Sequence, residues 1–215
     1  LAVGDHVVLV PLSCGCCGNC QSGMQVYCDQ FLRLNIGLRR ADGCSTLRAG
    51  EKKVHGCFFG QSSFATHALA HERNAIRVPR DIPLELLGPL GCGVPTGAGT
   101  VMNALRPKPG SSIAIFGTGT VGLSAIMAAK IVGCTTIIAV DVRESRLEMS
   151  RELGATHTIH NTTGDPVDAI RKLTGGRGAN FTIDTTALPQ VMRQAVDCLA
   201  PPGTCAALGL TRAGT

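Results

Sequence analysis

Five cysteines fall within the sixteen residues "SCGCCGNCQSGMQVYC", Ser13 to Cys28. Four of them, Cys14, Cys17, Cys20 and Cys28, are spaced Cys-x2-Cys-x2-Cys-x7-Cys. The short spacings turn successive thiolates back toward one point, and the longer gap brings a fourth in from another side. Four sulfurs at about 2.3 Å from a Zn²⁺ ion close a tetrahedron with no open position, so the expected site is structural. Gly15, Gly18 and Gly23 lend the loop permissive backbone. Cys16 allows another register with poorer spacing. A dithiol redox pair at Cys14 and Cys17 is a rival, but it expects a thioredoxin-like strand and helix and not a fourth partner after the third. An iron–sulfur site shares the ligands, and counting does not separate it from zinc.

A second constellation lies between Ser111 and Ala155. An apolar strand, Ile113 to Phe116, leads into Gly117, Gly119 and Gly122 in G-x-G-x-x-G spacing. An Ala-rich helical stretch follows, then a second apolar strand, Thr136 to Val140, ending at Asp141. The glycines alone are a weak signal; with strand, helix and acid in this order they read as a dinucleotide-binding fingerprint. Gly117 permits the tight turn, Gly119 lets a diphosphate approach the backbone, and Gly122 lets the helix lie close on the sheet. The diphosphate then meets free amides and the positive end of the helix dipole. Asp141 can accept hydrogen bonds from both ribose hydroxyls of adenosine and would repel a 2′-phosphate, which favours NAD over NADP. Arg143 and Arg146 weaken that preference, and Asp141 is also placed to cap the next helix.

The elements around these residues continue an alternating rhythm. "RESRLEMSREL" reads as a helix, "THTIH" as a strand, and "DPVDAIRKLTG" as a helix with Asp165 as cap and Pro166 at its first position. "ANFTIDTT" is a strand, "LPQVMRQAVDCL" a helix and "GTCAALGL" a fifth strand. The expected fold class is α/β, a doubly wound parallel sheet of the Rossmann type. Such a sheet usually has six strands, so its last is expected to be missing.

Composition narrows the class further. A chain of 215 residues with 44% hydrophobic and 16% charged residues can bury a sizeable core, made mostly of Ala, Val, Ile and Leu because aromatics are only 3%. No run approaches a membrane span, and "LAVGDHVVLVPLS" lacks the features of a signal peptide. A cytoplasmic location is expected, where disulfides are rare. Cys134, Cys198 and Cys205, in apolar runs, are expected to be buried thiols. Arg33, Arg39, Arg40, Arg48, Lys52 and Lys53 crowd one segment without stacking aromatics, which reads as a solvated loop rather than a nucleic-acid surface.

A four-cysteine knot, a later isolated cysteine in "GPLGCGVPTGAGTV" and a dinucleotide fold occur here in one order. Together they resemble the zinc-dependent, medium-chain alcohol dehydrogenases. "FFGQSSFATHALAHERNAIRVP" and "ELLGPLGCGVPTGAGTV" are most similar to the aryl-alcohol (benzyl-alcohol) branch. The resemblance covers essentially the whole chain. It implies that residues 1–92 are part of a β-rich GroES-like catalytic domain, with a structural-zinc lobe at about 14–28, and that 93–215 are a Rossmann domain truncated at its C-terminal end.

The resemblance also implies roles. Cys14, Cys17, Cys20 and Cys28 match the structural-zinc ligands, and Cys92 the third ligand of a catalytic zinc. Thr96 matches a position beside the nicotinamide, and Val121 a side chain behind that ring. Asp141 and Arg146 match the adenosine-ribose contacts, with Gly117, Gly119, Thr120 and Gly122 in the phosphate loop. The family's substrate alcohol binds zinc, loses its proton and gives a hydride to NAD, because the Lewis-acidic metal stabilises the alkoxide. Small-molecule alcohols or aldehydes are the implied partners, and a homo-oligomer is implied for the full-length parent, with no nucleic acid or membrane.

One departure matters. The family's remaining catalytic-zinc ligands, a Cys and a His followed by Glu, precede the structural-zinc lobe. "LAVGDHVVLV" resembles the strand just before that lobe, so the ligands are expected to be absent and the chain to be an internal, inactive fragment. His71-Glu72 lies after the knot, in "ALAHERNAIRVP", read as a strand, and no second His follows at the H-E-x-x-H spacing. His55, Cys57 and His67 read as surface or core residues. Two other functions stay open at this point: a non-catalytic module binding dinucleotide and zinc, and a cysteine-based electron-transfer protein.

Overall fold

The computed structural model describes residues 1–40, 42–45, 47–60 and 65–209. It divides into two compact units, Leu1–Cys92 and Gly93–Thr215. The stretch resembling the aryl-alcohol branch at 58–79 includes positions 61–64, and the expected fifth strand ends at Leu210; these positions lie outside the described residues.

The first unit has little regular structure. β1 (Val7–Leu9) pairs antiparallel with β4 (Ala75–Arg77), Val8 opposite Ile76. Between them, β2 (Leu47–Ala49) and β3 (Lys52–Val54) form a separate antiparallel hairpin. Arg48, Lys52 and Lys53 are therefore strand residues of an exposed ribbon, not a loop. Alternation of side chains across a strand keeps consecutive lysines solvated when neither face is covered. α1 (Gly18–Gln21) and α2 (Phe31–Asn35) flank the cysteine segment. The expected strand through His71 is also corrected. His71 Nδ1 accepts the Arg73 amide at 3.2 Å and caps a single 3₁₀ turn, Glu72–Asn74, before β4 begins. A side-chain acceptor two residues before an amide competes with strand pairing.

The second unit is a doubly wound α/β sheet. Its five parallel strands are β5 (Ser112–Phe116), β6 (Thr136–Asp141), β7 (His157–His160), β8 (Ala179–Asp184) and β9 (Leu199–Ala207), in the order β7-β6-β5-β8-β9. Helices α4 (Thr120–Ile131), α5 (Glu144–Leu153), α6 (Pro166–Leu173) and α7 (Pro189–Asp197) connect them, and α3 (Gly93–Gly99) precedes β5. The pleat of β5 divides the core. Ile113 and Ile115 pack on one face with Ile126, Ile137 and Leu147, while Ala114 and Phe116 pack on the other with Ile138, Val140 and Ile170. This two-sided burial is why β5 and β6 read as continuous apolar runs.

Several local expectations meet their physical reasons here. The Asp165 carboxylate accepts the Val167 amide at 2.9 Å and caps α6, with Pro166 in its first turn. β9 starts earlier than expected and takes in Pro201 and Pro202. Among the described residues it pairs only with β8, and prolines are tolerated where one strand edge needs no donors. Cys134 and Cys198 are buried; Cys205, expected to be buried as well, is only partly so. Burial pushes the Cys198 thiol up to about 12.

Candidate functional site

The cysteine segment wraps around its own sulfurs. The Sγ atoms of Cys14, Cys17, Cys20 and Cys28 all lie within 4.8 Å of one another, and Cys14 and Cys20 are 3.9 Å apart. A tetrahedron of sulfurs around one zinc has edges of about 3.8 Å. The set thus fits a single four-coordinate ion. A multi-iron cluster, whose ligands reach around several metal atoms, needs a wider spread.

Backbone conformation makes this convergence possible. Gly15 and Gly23 hold φ of +75° and +83°, where an L side chain is strained. Gly18 does not need that freedom: it is the first residue of α1. Backbone amides converge on the sulfurs as well. Cys17 N–H and Cys16 N–H donate to Cys14 Sγ at 3.3 and 3.5 Å, and Cys14 N–H donates to Cys28 Sγ at 3.3 Å. Those amide donors, that of Cys16 foremost, draw the Cys14 thiol down to about 6. Burial pushes the Cys20 thiol up to about 11. A metal cation held at the centre would favour the thiolate of both.

One residue that braces the knot was not singled out from sequence. Asn35, fully buried at the end of α2, donates through Nδ2 to the carbonyls of Leu12 and Phe31 at 2.8 and 2.9 Å. Its Oδ1 accepts the Leu12 amide at 2.7 Å. The chain entering the knot is thereby tied to the helix leaving it.

Cys92 ends the first unit, exposed, beside a cavity of about 140 Å³ lined by Leu9, Pro11, Phe59, Gly88 and Gly91. Among the described residues it belongs to no group of three or more metal-ligating side chains. His55 and His67 are exposed and Cys57 is buried. Thr96, in the second unit, is exposed on α3, and its carbonyl accepts the Thr100 hydroxyl at 2.8 Å.

The glycine motif occupies the turn from β5 to α4. Gly117 has φ +84°, and a Cβ there would come within 2.5 Å of Thr185 Oγ1. The Thr185 hydroxyl bridges the carbonyls of Phe116 and Gly117 at 3.0 and 2.9 Å, which fixes the turn. A Cβ on Gly119 would meet nothing within 4 Å, so this backbone faces open space. A Cβ on Gly122 would lie 2.0 Å from the Gly117 carbonyl oxygen. The helix therefore sits as close to the strand end as a bare backbone allows. Thr120 is exposed and Val121 half-buried at its first turn, where no side chain caps the amides.

Asp141 ends β6 across the turn, and its carboxylate is held from two sides. Oδ2 accepts Thr118 N–H at 2.7 Å and the Thr118 hydroxyl at 2.9 Å, while Oδ1 accepts the amides of Val142 and Arg143 at 2.8 and 3.0 Å. Arg146 Nη1 stands 3.8 Å from Oδ2. Burial by itself would raise the acid's pKa; the Thr118, Arg143 and Val142 donors outweigh it and hold the carboxyl below its ordinary value. Thr118 is the second residue the sequence reading passed over. The signal available was a hydroxyl between the first two glycines, facing the next strand's terminal acid. Beyond Asp141 opens a cleft of about 540 Å³ lined by Gly117, Gly119, Arg146, Asn161, Thr186 and Gln190, among others. It lies at the carboxyl ends of β5 and β8, where the strand order reverses and ligands bind such sheets.

Comparison with known proteins agrees with this geometry. Residues 120–215 match the family model described as zinc-binding dehydrogenase. Geraniol dehydrogenase of Castellaniella defragrans is 49% identical over 212 residues, 98% of this chain and 57% of the relative. A probable alcohol dehydrogenase of Pseudomonas sp. is 42% identical over 213 residues, covering 98% of this chain and 67% of the relative. The crystal structure of benzyl alcohol dehydrogenase from Acinetobacter calcoaceticus matches with a TM-score of 0.92 at 47% identity, over 100% of this chain and 58% of that one. The chain thus spans little more than half to two thirds of the length of these relatives. With the four-sulfur knot and the glycine turn in their expected order, the chain belongs to the zinc-binding dehydrogenase family, with its relatives the alcohol dehydrogenases.

Proposed function

We propose that this chain is part of a zinc-containing, NAD-dependent dehydrogenase that oxidises a primary alcohol to its aldehyde. The observation that carries the reading is the cleft at the carboxyl edge of the sheet, with the open Gly119 backbone on one side and Asp141 on the other. Gly119 and the first-turn amides of α4 would receive the diphosphate, and Asp141 with Arg146 the adenosine ribose. In the family, zinc acts as a Lewis acid toward the alcohol oxygen and NAD accepts the hydride. Cys92 would supply one ligand to that catalytic ion, and Thr96 and Val121 would border the nicotinamide. Cys14, Cys17, Cys20 and Cys28 would hold the second, structural ion.

The substrate class proposed is a primary, aromatic alcohol, a reading supported by the name of one relative, benzyl alcohol dehydrogenase; that of another, geraniol dehydrogenase, would widen it to an alcohol next to a double bond. The 215-residue chain by itself would not oxidise such an alcohol, because among the described residues the one group of three or more metal-ligating side chains is the knot, and Cys92 is outside it. It would bind the adenosine half of NAD more tightly than the nicotinamide half. Calorimetry with ADP-ribose, its 2′-phosphorylated analogue and nicotinamide mononucleotide tests this. Binding of ADP-ribose above the other two is expected. Equal affinity for all three, or benzyl-alcohol-dependent NADH formation by the chain alone, would contradict it.

A further inference from the structure

The fifth cysteine of the knot has no place among the four ligands, yet it lies against one of them. Cys16 Sγ is 3.6 Å from Cys14 Sγ and donates its S–H to it. Gly15, at φ +75°, turns the chain so that the two side chains project to the same side. The inner ligands Cys20 and Cys28 are buried, whereas Cys16 is exposed. The Arg73 guanidinium lies over the turn, within 3.0 Å of where a Gly15 Cβ would stand, and Arg73 Nη2 donates to the Ser13 carbonyl at 3.4 Å. An exposed sulfur in contact with a ligand sulfur forms a thiol pair that solvent oxidants can reach.

We infer that Cys16 is a peroxide-reactive thiol that ejects the structural zinc by forming a disulfide with Cys14. The inference rests on the reading of the knot as a zinc site. The oxidant class is a hydroperoxide. The Cys16 sulfur attacks one oxygen of hydrogen peroxide; the O–O bond breaks, the S–H proton goes to the departing hydroxide, and a sulfenic acid is left on Cys16 as one water is released. The Cys14 thiolate then attacks the Cys16 sulfur, the S–O bond breaks, and the departing hydroxide takes a proton to become a second water. Two electrons pass from the sulfur pair to the peroxide. The ion is left with three thiolates and an open position, from which it dissociates. Closing the pair to bonding distance requires the sulfurs to approach by about 1.5 Å. Cys14 packs against the buried cluster of Cys20, Cys28 and Leu34, whereas Cys16 is outside it, so the approach falls to the exposed Cys16 side chain.

The test uses the whole chain, reduced and zinc-loaded, exposed to hydrogen peroxide with released zinc read by a chromogenic chelator. Cys16→Ser and Cys16→Ala are expected to slow release by about tenfold or more. Cys44→Ser, which removes an exposed thiol elsewhere, is expected to leave the rate unchanged. Tandem mass spectrometry should locate a Cys14–Cys16 link in the oxidised wild type. Equal release rates with and without Cys16, or a link between other cysteines, would overturn the inference while leaving the zinc site intact. Loss of zinc from the unoxidised Cys16 variants would also overturn it, by making Cys16 a resident ligand. A reduced wild-type chain that binds no zinc would overturn the knot reading itself.

Discussion

Asp141 is the residue on which the proposed nucleotide binding most depends. Four protein donors occupy its two oxygens, and a carboxylate offers about four acceptor sites. On the proposed reading a ribose hydroxyl would share or replace one of them, and the Thr118 side chain is the donor that can rotate away. Asp141→Asn is expected to weaken ADP-ribose binding by about 1.5–3 kcal/mol, the worth of hydrogen bonds to a charged group, and to narrow discrimination against the 2′-phosphate. Calorimetry on the variant measures both, and unchanged affinity would contradict the assignment. A pH dependence follows from the same donors. The folded carboxyl titrates below its ordinary value, so its contribution to stability is complete above about pH 4 and disappears as pH falls through the lower folded value. The stability gap between wild type and Asp141→Asn should shrink below that pH in thermal melts; a gap constant from pH 7 to pH 3 would contradict this.

At the scale of elements, close backbone approach is what positions both sites. A Cβ on Gly97 of α3 would fall 2.0 Å from the Val121 carbonyl oxygen of α4. Gly97→Ala is expected to destabilise the second unit by about 1–3 kcal/mol through overpacking, with a lowered midpoint in urea. In the first unit, Asn35→Ala should cost about 1–3 kcal/mol by orphaning the Leu12 backbone. It should also speed zinc loss to a chelator; unchanged zinc retention would argue against the bracing role. The elements of the second unit were largely legible in sequence, because two-sided burial writes β5 and β6 as unbroken apolar runs and Asp165-Pro166 announces α6. The convergence of Cys14, Cys17, Cys20 and Cys28 was legible from their spacing, though spacing left the kind of metal open. What could not be read depended on contacts between residues far apart in the chain. Asn35 with Leu12 and Thr118 with Asp141 are such pairs, and neither leaves a periodic trace. The 3₁₀ turn at Glu72–Asn74 escaped for another reason, since one His71 side-chain bond overrode an apparent strand pattern.

For the whole molecule, the two units divide the features: a four-sulfur knot in residues 1–92 and the cleft proposed for the nucleotide in 93–215. No helix among the described residues is long and apolar enough to cross a membrane. If the knot holds its ion as proposed, a segment with so little regular structure gains much of its folding free energy from it. Chelation should therefore unfold the first unit while leaving the sheet's circular-dichroism signal, a separation that a single cooperative loss would refute. The central claim is that the knot holds one ion and that the chain by itself holds no second. Elemental analysis of the purified, reduced chain tests it most directly. About one zinc per chain is expected, with no iron; iron with acid-labile sulfide, no metal, or two zinc ions per chain would contradict it.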